Sequence, residues 1–355
     1  MAASMRSATI DAASGQSFVE EVFRPLPRAD QRHWARTYLR GLLSAPHRAS
    51  PGQLAAAQSL PAATAHRLHQ FVNASTWAWE PVRQALARHI CSRTTPSAWA
   101  VTELFIPRRG HSTVGVHTTV DGASGRKVRG QSVLGLFLCT EAGSFPVSWR
   151  LLLRDAWAED RQRRLRARIP RDVTARPRWA HLMEFVGEVS RGRLPALPWI
   201  LTLPLAPADV TGVLGALSRR RVDVVCETSP EQQVYAVKGP AGAMSVGALL
   251  NRERARSVPV FLSARGSLPV EPRRYQAMWW PGAPDGRGSA RCALTNLGPR
   301  HAGRVLAGAD ECFRDAAARM SRQLGVDDFR GRSFPGWHHH MTMAAAAHAF
   351  QRLAD

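Results

Sequence analysis

The chain has 355 residues, 45% hydrophobic and 21% charged, which excludes a disordered chain and leaves room for one large or two medium domains. Its net charge is +21, and 46 of its 48 basic residues are arginine, Lys127 and Lys238 being the lysines. A field of that sign favours a polyanionic partner, with nucleic acid the commonest, although a genome biased towards arginine codons would inflate the count. Five cysteines (Cys91, Cys139, Cys226, Cys292, Cys312) form no C-x-x-C pair, so zinc and redox motifs are not indicated and free thiols in a reducing cytoplasm are expected. The opening MAASMRSATIDAASG has no apolar core of a signal peptide, and no run reaches the ~18 apolar residues of a membrane span.

Residues 1–15 are small and polar and read as a disordered tail. Residues 16–95 read as a helical N-terminal domain. In Ala29–Leu43, Trp34, Tyr38 and Leu42 recur at helical spacing, and Thr64–Val72 and Glu80–Ile90 repeat the style. The texture changes after Ser97. Trp99–Ile106 is a strand-like apolar run, Ser112–Thr119 alternates, and Val128–Thr140 and Phe145–Leu153 follow as strands. Ala158–Ile169 reads as one basic helix, with a solvated face or DNA contact as its two uses.

Further on, Trp179–Ser190 reads as a helix, Leu197–Leu205 as a buried strand and Asp209–Arg220 as the next helix, with Asp209 where an N-cap would sit. Val222–Cys226 and Gln233–Val237 continue as strands. Residues 239–300 are rich in Gly, Pro and Arg, with short strands at Val258–Ser263 and Tyr275–Trp280. Ala309–Gln323 is a helix stopped by Gly325, and Met341–Leu353 an Ala-rich closing helix.

The segment Gly331-Arg-Ser-Phe-Pro-Gly-Trp-His-His-His340, followed by apolar Met341–Phe350, resembles the closing signature of one family of bacterial insertion-sequence transposases. These are DDE enzymes with an RNase H-like core. Other stretches resemble the family in order: Phe23–Leu43, His69-Gln-Phe-Val72, Pro81-Val-Arg83, Ser112-Thr-Val-Gly-Val116, Gly130-Gln131, Pro146–Leu151, and Trp157 with Asp160 and Arg163-Arg164. The resemblance implies an α/β (α+β) fold. A helical N-terminal domain would precede an RNase H-like mixed-sheet core over 96–355, with a β-rich insertion at about 222–300.

It also implies three carboxylates holding two Mg²⁺ ions. The family's first acid lies in a Trp-x-x-Asp-Asp-Thr strand; here Trp99-Ala-Val-Thr102-Glu103-Leu104 puts Thr102 at that place and Glu103 beside it. The second acid falls on Leu203 or Pro204, with Asp209 a helical turn beyond. The third falls on Arg314, flanked by Glu311 and Asp315. An arginine there opposes bound cations.

The first expectation is therefore a transposase-like protein, catalytically impaired, that retains duplex DNA binding without a cofactor. Arg32, Arg36, Arg108, Arg109, Arg330, Arg332, Trp337 and His338 are its candidate DNA contacts, and no metal site is assigned to the histidine triplet, since consecutive histidines diverge on a helix. An active Mg²⁺-dependent transposase using Glu103, Asp209 and Glu311 is the alternative. A groove recruited to a small molecule or protein partner is the third. A cytoplasmic, nucleoid-associated location follows from DNA binding, and a homodimer is compatible with it.

Overall fold

The computed structural model describes residues 12–45, 50–108, 110, 112–121, 124–154, 156–238, 242–262, 274–280, 291–324, 326–327, 329 and 331–354. The chain begins with five helices: α1 (Ala12–Phe23), α2 (Ala29–Ser44), α3 (Pro51–Ala56), α4 (Ala62–Asn73) and α5 (Trp79–Arg93). α1 starts inside the stretch read as a tail, of which residues 1–11 lie outside the described residues. α2 buries Ala35, Tyr38, Leu39 and Leu42 on one stripe and exposes His33, Arg36 and Arg40, the amphipathic pattern its spacing predicts.

The strands are β1 (Pro96–Pro107), β2 (His117–Val120), β3 (Lys127–Thr140), β4 (Gly143–Leu151), β5 (Trp199–Thr202), β6 (Val224–Thr228), β7 (Gln233–Ala236), β8 (Ala243–Ser245), β9 (Ser257–Phe261), β10 (Arg274–Trp280) and β11 (Arg291–Thr295). They form one mixed sheet in the order β2-β3-β1-β5-β6-β11-β10-β9-β7-β8. The outer edge of β3 is shared: its first residues pair with β2 and its later ones with β4. β1 runs antiparallel to β3 and parallel to β5, and β5 is parallel to β6. The run β4-β3-β1-β5-β6, three antiparallel strands followed by two parallel ones, is an RNase H-like core. The strands β7 to β11 extend that core into a large mixed sheet.

Between the strands lie α6 (Ala156–Glu159), α7 (Arg161–Arg166), α8 (Arg178–Arg191), α9 (Pro207–Arg219) and α10 (Val246–Glu253). α11 (Pro299–Leu324) and α12 (Phe334–Ala354) close the chain. The expected single basic helix is broken because Asp160 caps a new one: its side chain accepts from the Arg163 amide at 3.0 Å. α9 begins at Pro207 with Ala206 as its N-cap, so Asp209 sits in the first turn and is not the cap. α10 was hidden in a Gly/Pro-rich region; Ser245 caps it, accepting from Ala248 N at 3.3 Å.

α12 starts at Phe334, before the expected Met341, and takes the histidine triplet into the helix. Nearly all of its residues are buried, from Phe334 and Gly336 through Ala349. A helix buried around its whole circumference belongs inside a fold, and α12 packs against α1, α2, α4, α5, α11 and β4. The N-terminal helices and the sheet thereby share one continuous core. Cys91, Cys139, Cys226 and Cys292 form no disulfide, as their spacing predicts, and the Cys312 side chain lies outside the described residues. Burial pushes the Cys226 thiol up to about 12.

Candidate functional site

The centre of an RNase H-like sheet is where its first and fourth strands run parallel, here β1 and β5. Their register sets Trp99 beside Trp199, Val101 beside Leu201 and Thr102 beside Thr202. Thr202, missed in the sequence, is thus the residue level with Thr102. A parallel register cannot be read from either strand alone. Thr202 Oγ1 donates weakly to Val101 O at 3.4 Å. Leu203 follows, buried in the core, and Pro204 is exposed. Two half-buried hydroxyls therefore lie level at the strand junction: Thr102 at the first acid's implied place, and Thr202 just before Leu203 and Pro204, the implied places of the second.

Glu103 points elsewhere. Successive side chains on a strand leave opposite faces. The Glu103 carboxylate meets the guanidinium of Arg178, at the start of α8, through Nε at 2.5 Å and Nη2 at 3.2 Å; Arg154 stands 3.8 Å away. This forked, largely buried pair occupies both carboxylate oxygens. Asp209 is half-buried in the first turn of α9. Glu311 and Arg314 lie on α11, but their side chains fall outside the described residues. Their neighbour Asp315 binds Arg319 Nε at 2.9 Å and faces Arg352 at 3.9 Å. Among the described residues, no three of His, Cys, Asp and Glu converge as metal ligands. The described residues at the strand junction do not fit a two-Mg²⁺ centre, because hydroxyls cannot replace charged carboxylate ligands and Glu103 is committed to arginine.

The candidate DNA contacts divide sharply. Arg36 is exposed, with Glu20 at 3.8 Å, and Arg332 is exposed. Arg32 is half-buried and donates to Leu26 O at 2.5 Å. Arg109 and Arg330 lie outside the described residues. Three expectations need correction. Arg108 is buried, its guanidinium donating to Gln131 Oε1 at 2.7 Å, Val326 O at 2.9 Å and Asp327 O, so it ties the end of β1 to the turn after α11. Trp337 and His338 are buried in α12 and cannot reach a phosphate.

The histidines diverge, as expected, and each has its own partner. His338 stacks on Trp79 at 4.5 Å and meets Arg83 Nη2 through Nδ1 at 3.2 Å. His339 stacks on Trp77 at 3.9 Å, with Val72 O at 2.8 Å and Trp77 O at 2.9 Å from its two ring nitrogens. His340 stacks on Phe329 at 4.5 Å and meets Tyr38 Oη at 2.9 Å. Burial pushes His338 well below the ordinary histidine value and His339 down to about 4, although the two carbonyls beside His339 pull back towards the charged form.

Arg83, which the sequence offers only as part of the Pro81-Val-Arg83 resemblance and with no role, is the centre of this junction. Its guanidinium is buried and donates to Thr342 Oγ1 at 2.8 Å, Trp149 O at 3.1 Å and His338 O at 3.2 Å, linking α5, β4 and α12. Burial lowers its pKa to about 9.

The exposed charge gathers around α7. Arg161, Arg166 and Arg168 are exposed, as is Leu165 at 66%. Phe334 N donates to Ala167 O at 2.7 Å, and Arg168 Nη1 to Asn73 O at 2.8 Å. These bonds dock α7 onto the start of α12, near Arg332, and onto the end of α4.

The strand order defines an RNase H-like class of fold. The chain belongs to the DDE superfamily endonuclease family, whose sequence model matches residues 21–260, more than half of the chain. That match runs from the end of α1 into β9 and ends before α11 and α12. No curated protein matches the chain. Among the described residues, no helix is long and apolar enough to cross a membrane.

Proposed function

We propose that this chain is a transposase-derived, duplex-DNA-binding protein whose catalytic centre is impaired. The observation that carries the reading is the β1–β5 junction: Thr102 stands at the first acid's place, level with Thr202, the second acid's places are Leu203 and Pro204, and Glu103 is held by Arg178 and Arg154. The ends of the closing motif support it from the other side. Its buried members, Trp337 to His340, serve packing, while Arg332 adjoins the exposed arginines of α7. Arg161, Arg166, Arg168 and Arg332 form the proposed phosphate-contacting surface, with Arg36 as an outlying contact. This moves the contact surface from the catalytic groove to α7 and the start of α12.

Fluorescence anisotropy of a labelled duplex across a salt series tests the binding. Affinity should fall steeply from ~50 to ~200 mM salt, because each neutralised phosphate releases counterions. The double variant Arg161→Ala, Arg166→Ala should lower the slope of log K against log salt by about two. No binding at low salt, or an unchanged slope in the double variant, would remove this surface from the account.

A further inference from the structure

A second feature lies across the end of α4 from this basic surface. A cleft of about 220 Å³ opens between the start of α2 and the end of α4. At ~30 Å³ for each water it has room for roughly seven waters, which suits one heterocyclic ring with its substituent and not a duplex. Trp34 forms a half-buried wall. Gln31 lies at the buried base, its amide donating to Ser75 Oγ at 3.2 Å while its oxygen accepts from Arg28 N at 3.4 Å. Arg28 and Arg67 stand exposed at the rim.

The rim carries two cations and one carboxylate. Arg28 Nε lies 3.3 Å from Asp30 Oδ1, and both side chains are well exposed. A pair of that kind is weak and opens readily for a stronger anion. Among the described residues the Arg67 guanidinium and the Gln70 amide have neither a hydrogen-bond nor an ion-pair partner. An aromatic wall, an amide offering both a donor and an acceptor, and a surplus cation at the rim are the elements of nucleotide recognition. Bases stack on tryptophan, a glutamine amide pairs two-fold with the N6/N7 edge of adenine, and arginine takes phosphate.

We propose that this cleft binds one nucleoside monophosphate unit, preferentially of adenine. The base stacks on Trp34 and pairs with Gln70, and the phosphate lies between Arg28 and Arg67. The inference does not depend on the duplex-binding surface at α7. The same chemistry is presented by a free nucleotide and by the terminus of a single strand, and the test separates the two sources.

The experiment is calorimetric titration of the full chain with AMP, with UMP, and with a short oligodeoxyadenylate. AMP should bind once per chain and at least several-fold more tightly than UMP. If only the oligonucleotide binds, and is lost with Trp34→Ala and Arg67→Ala, the strand is the source and the cleft assignment stands. Trp34→Ala should weaken binding about tenfold or more, the scale of one lost base stack. Arg67→Ala, an exposed change that leaves the fold intact, should weaken it several-fold. Asp30→Asn should tighten it, because the rim loses its only negative charge; a merely structural role for these residues would not give that sign. Arg166→Ala should leave AMP binding unchanged, which separates this site from the duplex surface. Absence of binding by both AMP and the oligonucleotide, or binding indifferent to Trp34→Ala and Arg67→Ala, would overturn the proposal.

Discussion

Two regions of this molecule carry polar groups into the interior, and they do so differently. At the α12 junction every histidine of the triplet has a stacking partner and a hydrogen-bond partner, and Arg83 on α5 distributes its donors over β4 and α12. At the β1–β5 junction two neutral threonines lie level, and Glu103, next along β1, turns to Arg178. The first region is polar because the fold needs it. The second, among the described residues, sets two neutral hydroxyls level, and the proposed impairment rests on it. The packing half of a family's signature can be retained independently of its chemical half, since stability depends on the first.

The largest effect should come from Arg83. Arg83→Ala removes a buried cation and takes one donor each from the Thr342 hydroxyl and the carbonyls of Trp149 and His338, in addition to opening a cavity. We expect a loss of about 3 kcal/mol or more in urea denaturation. Arg83→Lys should recover little, because an ammonium lacks the planar fork. A loss below about 1 kcal/mol for the alanine variant would break the claim that this junction is held by its polar network.

Acid should act next. Burial holds both His339 and His348 down to about 4 in the folded chain. In the unfolded chain they bind protons near 6.5, so the unfolded state takes up more protons between those values. Their neutral burial costs nothing above about pH 6.5 and destabilises the fold as pH falls from there towards 4, by up to about 3 kcal/mol each. Thermal melts from pH 7.5 to 4.5 should show that decline. A fold equally stable at both ends would contradict neutral burial.

Smaller changes sharpen the other half of the comparison. Glu103→Gln removes one member of a partly buried ion pair and should cost about 1 kcal/mol, with duplex binding unaltered. Thr102→Asp with Thr202→Asp places two carboxylates on adjoining strands. Their repulsion should lower the melting temperature without metal, and millimolar Mg²⁺ should restore part of it, whereas the native chain should be indifferent to Mg²⁺. A Mg²⁺-dependent melting shift in the native chain would point to a working carboxylate set.

Much of this contrast was legible in the sequence. The strands β1, β3 and β4 announce themselves through apolar runs and turn residues, and the apolar Met341–Phe350 run marks a buried helix. Three things were not legible. The pairing of Thr102 with Thr202 is a register between strands a hundred residues apart. The burial of Arg108 and Arg83 hides behind a residue type that usually points to solvent; only the tertiary partners Val326, Asp327, Trp149 and Thr342 explain it. The break at Asp160 turned one expected basic helix into two short ones, because a capping carboxylate outweighed the helical propensity around it.

An impaired centre is tested by a nicking assay on supercoiled plasmid with Mg²⁺ or Mn²⁺, run at a salt concentration where anisotropy shows the chain bound. The bound DNA should stay supercoiled in both metals. Metal-dependent nicking that disappears with Glu103→Gln or Glu311→Gln would contradict it and establish an active centre built from displaced acids.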